Sequence, residues 1–270
     1  MKTILLHVHD DAGQEARLQA SLDIARATEG HISCAQITPL EYFVGTDPFG
    51  GMYAVKEVLA KLRTQETLER ARLEARLETE GVSWDWRQFD GNVVQTLVSY
   101  ARLADVVVLS QPMRNGDPLT EPIPVVPDVA IHARAPILSV PVKAQALNVA
   151  GKAMIAWNGS YEAAHALRFA LPLLRLAESV HLVEISDDAR EFPSTAATDY
   201  LSRHGIAAEM QEIPRAGRDA GAALLHQAAE LGASYVVMGA YGHSRLREMM
   251  LGGVTRKLLG ESPIPLLLAH

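Results

Sequence analysis

ADVVVLS (Ala104–Ser110) and ASYVVMG (Ala233–Gly239) are one short apolar strand written twice, and the fold follows from what surrounds them. Downstream of each comes a proline-flanked run, APILSVP (Ala135–Pro141) and SPIPLLLA (Ser262–Ala269), at nearly the same spacing. Upstream of each comes an opening run, TILLHV (Thr3–Val8) and KAMIAW (Lys152–Trp157). The openings stand further apart than the closings, so the first half carries roughly 20 extra residues between its first and fourth strands. Those residues fall at Pro39–Val55 and in the charged helix after it, Lys56–Glu80, whose alternating acids and bases read as a salt-bridged surface.

Within each half, short β-branched runs alternate with amphipathic helices. Strands are expected near 3–8, 31–37, 83–89, 105–109 and 137–140, and again near 153–157, 180–185, 207–213, 235–238 and 265–268. Helices are expected at Gln14–Thr28, Tyr161–Glu178 and Val254–Gly260, the second marked by Ala164, Leu167, Ala170, Leu171 and Leu174 on one face. This alternation implies parallel strands joined by helical crossovers and covered on both faces. The predicted fold class is α/β: two sandwiches, residues 1–143 and 151–270, each on a mostly parallel five-stranded sheet. The closing strands Ile137–Val140 and Pro265–Leu268 are apolar edges and should meet within the chain, making an internal pseudo-dimer. Ligands of such sheets bind at the carboxyl ends of strands where the strand order reverses, so the places to search follow Val8, Ser110, Trp157, Ile185 and Met238.

Composition narrows the function. Lys+Arg of 25 against Asp+Glu of 32 gives a net charge of −7, which argues against a nucleic-acid or membrane-surface binder. No apolar run is long enough to span a membrane or to serve as a secretory leader. A single cysteine, Cys34, excludes an intramolecular disulfide and fits a reducing compartment, so the expected location is cytoplasmic.

After the strand Tyr235–Met238 the chain reads MGAYGHSRLREMMLGGVT, from Met238 to Thr255. Gly239 and Gly242 lie three apart, Gly252 follows after nine further residues, and Gly253-Val254-Thr255 opens an amphipathic stretch. Glycines permit close approach and unusual torsions, so successive N–H groups can point at one anion, and the helix start adds its unpaired donors. Thr255 and Ser244 add hydroxyls and Arg245 a cation.

This stretch resembles the nucleotide-binding universal stress proteins (UspA-like), which carry G-x2-G-x9-G-[S/T] after the fourth strand. Ala156-Trp157-Asn158-Gly159-Ser160 is similar to the family's first strand and turn, where Asp-Gly-Ser is usual, and both halves share the likeness. The resemblance implies a tandem form built of two adenine-nucleotide alpha-hydrolase-like (Rossmann-like) sandwiches. It also implies ATP or AMP, with magnesium as an option, at the strand ends of the second half. By position, Ala156, Trp157, Asn158 and Ser160 would meet the adenosine, and Ile185 the adenine. Met238 and Gly239 would flank ribose and phosphates, with Gly242, His243, Arg245, Gly252, Gly253, Val254 and Thr255 around the phosphates. The role implied is a nucleotide-dependent stress-response regulator or interaction module with a protein partner, and dimers of the whole chain are compatible with it. Asn158 replaces the usual Asp, and Gly253 stands where the family has Ser or Thr. One lost hydroxyl donor is worth about 0.5–1.5 kcal/mol, roughly tenfold in affinity.

The first half departs further. After Leu109 it reads SQPMRNGDPLTEPIPVVPD, without the second glycine of the pair and with Pro112, Pro118, Pro122, Pro124 and Pro127, which lack the N–H donors of a phosphate loop. His9 and Asp11 occupy the positions of Asn158 and Ser160. This half is expected to pack rather than to bind ATP in the family manner.

Two alternatives come from other classes. One is a nucleotide-independent scaffold that keeps the glycine loop as structure. The other is a metal-dependent enzyme on His7 and His9, two apart on a strand and flanked by Asp10 and Asp11. No nucleophile elbow, P-loop or G-x-G-x-x-G occurs, so no dedicated catalytic set is read. Slow ATP hydrolysis or autophosphorylation at Ser244 or Thr255 is the most the resemblance permits.

Overall fold

A computed structural model of the chain describes residues 1–39, 52–112, 124–186, 192–242 and 253–270. In the first half β1 (Thr3–Val8), α1 (Gln14–Thr28), β2 (His31–Thr38), α2 (Met52–Thr79) and β3 (Ser83–Asp90) are followed by α3 (Val93–Tyr100), β4 (Val106–Ser110), α4 (Val126–His132) and β5 (Ile137–Val140). The second half repeats the plan with β6 (Ala153–Ala156), α5 (Tyr161–Leu174), β7 (Val180–Ile185), α6 (Ser194–Arg203) and β8 (Ala208–Ile213). It ends with α7 (Ala220–Leu231), β9 (Tyr235–Gly239), α8 (Gly253–Glu261) and β10 (Leu266–Ala269).

The strands lie in one sheet of order β3-β2-β1-β4-β5-β10-β9-β6-β7-β8, so the order 3-2-1-4-5 occurs twice, mirrored about the centre. Strand pairs within each half are parallel. The halves join where β5 and β10 pair antiparallel, with Leu138 opposite Leu267, so the expected meeting of the closing strands takes the form of one continuous sheet. The antiparallel join also turns the carboxyl ends of the two sets of strands to opposite edges of the sheet.

Because the strands between the edge strands β3 and β8 are buried on both faces, alternate residues feed two cores. Ile4, Leu6, Val106, Val108, Leu138, Ile155, Val237 and Leu267 belong to one, covered by α1, α2, α5 and α6 through residues such as Leu22, Leu77, Leu167 and Leu201. Leu5, Val107, Leu109, Ile137, Met154, Val236 and Leu268 belong to the other, covered by α3, α4, α7 and α8 through Leu97, Val129, Leu224 and Leu258. Each core runs across both halves.

Two expectations need adjusting. The helix expected to reach Glu178 stops at Leu174, because the Glu178 N–H is captured by the Ala150 carbonyl at 2.8 Å and the chain must turn into β7. The long α2 does carry the expected ion pairs, Arg70–Glu74, Arg72–Glu69 and Arg76–Glu80, yet it is not wholly a solvated face: its own Glu66, Glu69, Leu73 and Leu77 are buried on its inner side. Residues 40–51 of the first-half insertion lie outside the described residues, as do His243, Ser244, Arg245 and Gly252 of the glycine motif.

Candidate functional site

In the order 3-2-1-4-5 the chain leaves β6 for β7 on one side and returns to β9 on the other, so a crevice opens between the ends of β6 and β9. A cavity of about 200 Å³ lies there. Ala156, Trp157 and Asn158 line it from β6 and its turn, and Ile185 from the end of β7. Met238, Gly239 and Gly242 approach from β9, while Gly253, Val254 and Thr255 come from the first turn of α8. With Ser160 these are all the sequence-derived nucleotide residues that fall within the described part of the chain, and they converge on one cavity.

Local structure explains the wall of the cavity. Asn158 Oδ1 accepts from the Ser160 N–H at 3.1 Å, and Ser160 Oγ accepts from the Ala163 N–H at 3.1 Å, so the turn and the cap of α5 are built together. Ser160 thereby keeps its own O–H free to donate. The first-turn N–H groups of α8 have no acceptor within the helix and form the positive end of its dipole.

The glycines act differently from the sequence expectation. Among the described residues of this loop the left-handed backbone belongs to Tyr241, at φ 62°, whereas Gly239 and Gly242 are not in that region. Gly239 serves close approach: a Cβ there would sit 2.5 Å from the Ala163 backbone nitrogen. A Cβ on Gly242 would sit 2.6 Å from Glu162 Oε2.

Glu162 and Tyr241 were not foreseen. Both line the cavity, and neither Glu162 Oε2 nor the Tyr241 hydroxyl has a hydrogen-bond partner among the described residues. Burial pushes the Tyr241 phenol well above its usual range, with Asp128 adding to the effect, so it stays a protonated donor. The cavity therefore combines donors at α8, Ser160 and Tyr241 with one carboxylate. Ala220 and Leu224 of α7 close its apolar side.

The corresponding crevice of the first half is filled. The Arg17 side chain is 1% exposed and pairs with Asp11 at 2.9 Å. It donates to the carbonyls of His7 and His9 and to Ser110 Oγ at the end of β4, bridging β1 to β4 across the switch point. Aligned on the strand and turn that match His9 to Asn158, the Arg17 position holds Ala166 in the second half, where the crevice stays open. Burial lowers the pKa of His7 well below its usual value, and Arg17 and His9 add to that. The His7 and His9 rings stack with centroids 6.1 Å apart. Among the described residues no group of three or more His, Cys, Asp or Glu is placed to hold a metal ion, which leaves the metal-dependent alternative without a ligand set. Cys34 is buried in β2, its thiol pushed up to about 12 mainly by burial, and is a core residue.

Comparison with known proteins follows this geometry. Residues 151–270 match the universal stress protein family. The whole chain is similar in structure to a universal stress protein from Archaeoglobus fulgidus DSM 4304, at TM-score 0.75 and 14% identity, covering 99% of this chain and 97% of that one. It is similar also to a universal stress protein from Pseudomonas aeruginosa UCBPP-PA14, at TM-score 0.60 and 16% identity, covering 100% of this chain and 93% of that one. These likenesses extend the fold across both halves of the chain. No curated protein matches the chain. No described helix is long and apolar enough to cross a membrane.

Proposed function

We propose that the second unit, residues 151–270, binds an adenine nucleotide, ATP or AMP, in the cavity between β6 and β9, and that occupancy changes how the chain contacts a protein partner. Residues 1–143 form the first unit and support the second across β5–β10. The observation that carries this reading is convergence: Asn158, Ile185, Gly239, Gly242 and Gly253, chosen from sequence, line one cavity at the switch point. The α8 N-terminus and the Ser160 and Tyr241 hydroxyls supply donors for phosphate and ribose. Glu162 presents like charge to a phosphate chain, so magnesium-bound ATP or the less charged AMP suits the cavity better than free ATP.

The first unit offers no comparable cradle, because Arg17 occupies its crevice and carboxylates surround the strand ends. A calorimetric titration of nucleotide-stripped protein with ATP and magnesium tests the reading. Saturation near one ATP per chain, abolished by Gly242→Val, supports it. Absence of both heat and thermal stabilisation with millimolar ATP and AMP leaves the chain a nucleotide-independent scaffold.

A further inference from the structure

The first half holds a second cavity, of about 460 Å³, displaced from the filled crevice toward β2 and roofed by α2. Its polar lining is dominated by acceptors, with His9 and Gln65 beside them. Asp10, Glu66 and Glu69 contribute carboxylates, and the two glutamates are 8% and 7% exposed. The charges are unevenly compensated. Asp11 is held by Arg17, and Glu69 by the outward-facing Arg72 at 2.8 Å. Glu66 accepts from Thr38 Oγ1 at 2.9 Å, and its Arg63 partner stands at 3.9 Å.

Gln36 supplies an independent sign that a donor is missing. It is 3% exposed and lines the cavity, and its Nε2 donates to the Glu66 carbonyl at 3.0 Å. That bond fixes which end of the amide is oxygen, and Oε1 has no donor among the described residues. A buried acceptor left without a donor is unfavourable, so the cavity is built for something that donates.

The chemistry of the missing donor can be narrowed. Phosphate and other anions are repelled by the carboxylates. A bare metal ion is a poor match, because no three described ligating side chains converge and the volume is many times the roughly 30 Å³ share of one water. Val8, Ile37 and Leu62 also line the cavity and offer apolar surface. Ammonium heads joined by methylene segments satisfy both kinds of wall, heads on Asp10, Glu66 and Gln36 Oε1, methylenes on the apolar side chains.

We propose that the first half binds a small alkyl polyamine in the cavity between the ends of β1 and β2 and helix α2. This site is independent of the nucleotide reading and lies toward the opposite edge of the sheet. The test is calorimetric titration of the full chain with spermidine, and separately with magnesium chloride, comparing wild type with Glu66→Gln and Asp10→Asn. Circular-dichroism melts establish that both variants fold. Saturation near one spermidine per chain, weakened about tenfold or more by Glu66→Gln and several-fold by Asp10→Asn, supports the site. Unchanged ATP binding in Glu66→Gln shows that the two sites are separate. Three results would overturn it: no saturable spermidine binding at millimolar concentration, equal affinity in folded wild type and Glu66→Gln, or magnesium chloride occupying the site and excluding spermidine.

Discussion

Replacing Gly239 by alanine inserts one methyl group between β9 and the start of α5. The new Cβ would lie 2.5 Å from the Ala163 nitrogen and 2.7 Å from the Glu162 carbonyl carbon, both backbone atoms. A side chain could swing away from such a contact; the first turn of a helix cannot. Relief requires α5 to lift by roughly 1 Å, and strain of this kind costs about 1–3 kcal/mol. At about 2–4 °C per kcal/mol for a chain of this size, the melting temperature should fall by roughly 3–10 °C. Affinity for magnesium-ATP should fall with it, because the displaced turn carries Ser160 and Glu162. Gly242→Ala is the internal control. Its Cβ meets the end of the Glu162 side chain at 2.6 Å, which can rotate, so the melt should move by less than about 3 °C. In a Glu162→Ala background the Gly242→Ala penalty should vanish while the Gly239→Ala penalty persists, because the backbone atoms met at Gly239 remain. A Gly239→Ala protein that melts and binds nucleotide like wild type would refute the claim that close approach fixes this glycine.

Other perturbations probe separate parts of the argument. Glu162→Gln should tighten magnesium-free ATP binding by about tenfold and narrow the gain from magnesium, measured by titration with and without a chelator. Thr255→Val, at a buried position in the first turn of α8, should weaken nucleotide binding up to about tenfold in the same assay, with little change in melting. Arg17→Met leaves Asp11 buried without its partner and should lower stability by about 3–5 kcal/mol in urea unfolding. For His7, burial holds the folded pKa below the unfolded value, so the unfolded state binds more protons in the interval between them. The neutral imidazole's contribution is therefore complete above about pH 6.5 and is lost as pH falls below it, so unfolding at pH 7.5 and 5.5 should differ less in His7→Asn than in wild type.

The architecture was legible because a doubly covered parallel sheet writes its strands as apolar runs, and here it writes them twice. Even the half-exposed edge strands β3, SWDWRQFD, and β8, AEMQEI, stood near their expected positions, since each falls between helical stretches in the alternating pattern. The end of α5 was misjudged because its apolar period continues past Leu174, while the stop comes from a backbone bond to Ala150 in the linker between the halves. In the cavity, spacing identified Gly239 and Gly242, but torsion and close approach leave the same residue in a sequence, and contact distances alone separate them. Glu162 and Tyr241 carried no local signal: one reads as an ordinary first-turn acid, the other as an aromatic within a loop. Arg17 was hidden for a related reason. An arginine in a helical pattern reads as solvated, and its burial depends on β4 arriving beside it from far along the chain.

That arginine accounts for the difference between the two crevices. The two halves share strand order, crossover pattern and a switch point, so a crevice exists in each unless a side chain fills it. With Ala166 at the matched position the second half keeps its crevice, and helix donors there favour an anion. With Arg17 the first half trades the crevice for an ion pair stapling β1 to β4, while the extra length of α2 roofs a new cavity one strand over. Because β5 and β10 pair antiparallel, the two cavities open toward opposite edges of one sheet, and both cores cross the join, with Leu138 opposite Leu267 in one of them. Leu267 is fully buried at that join, so Leu267→Ala should lower stability by about 2–5 kcal/mol and melt the halves unequally. A variant whose two halves still melt together would place their mutual support elsewhere than at β5–β10.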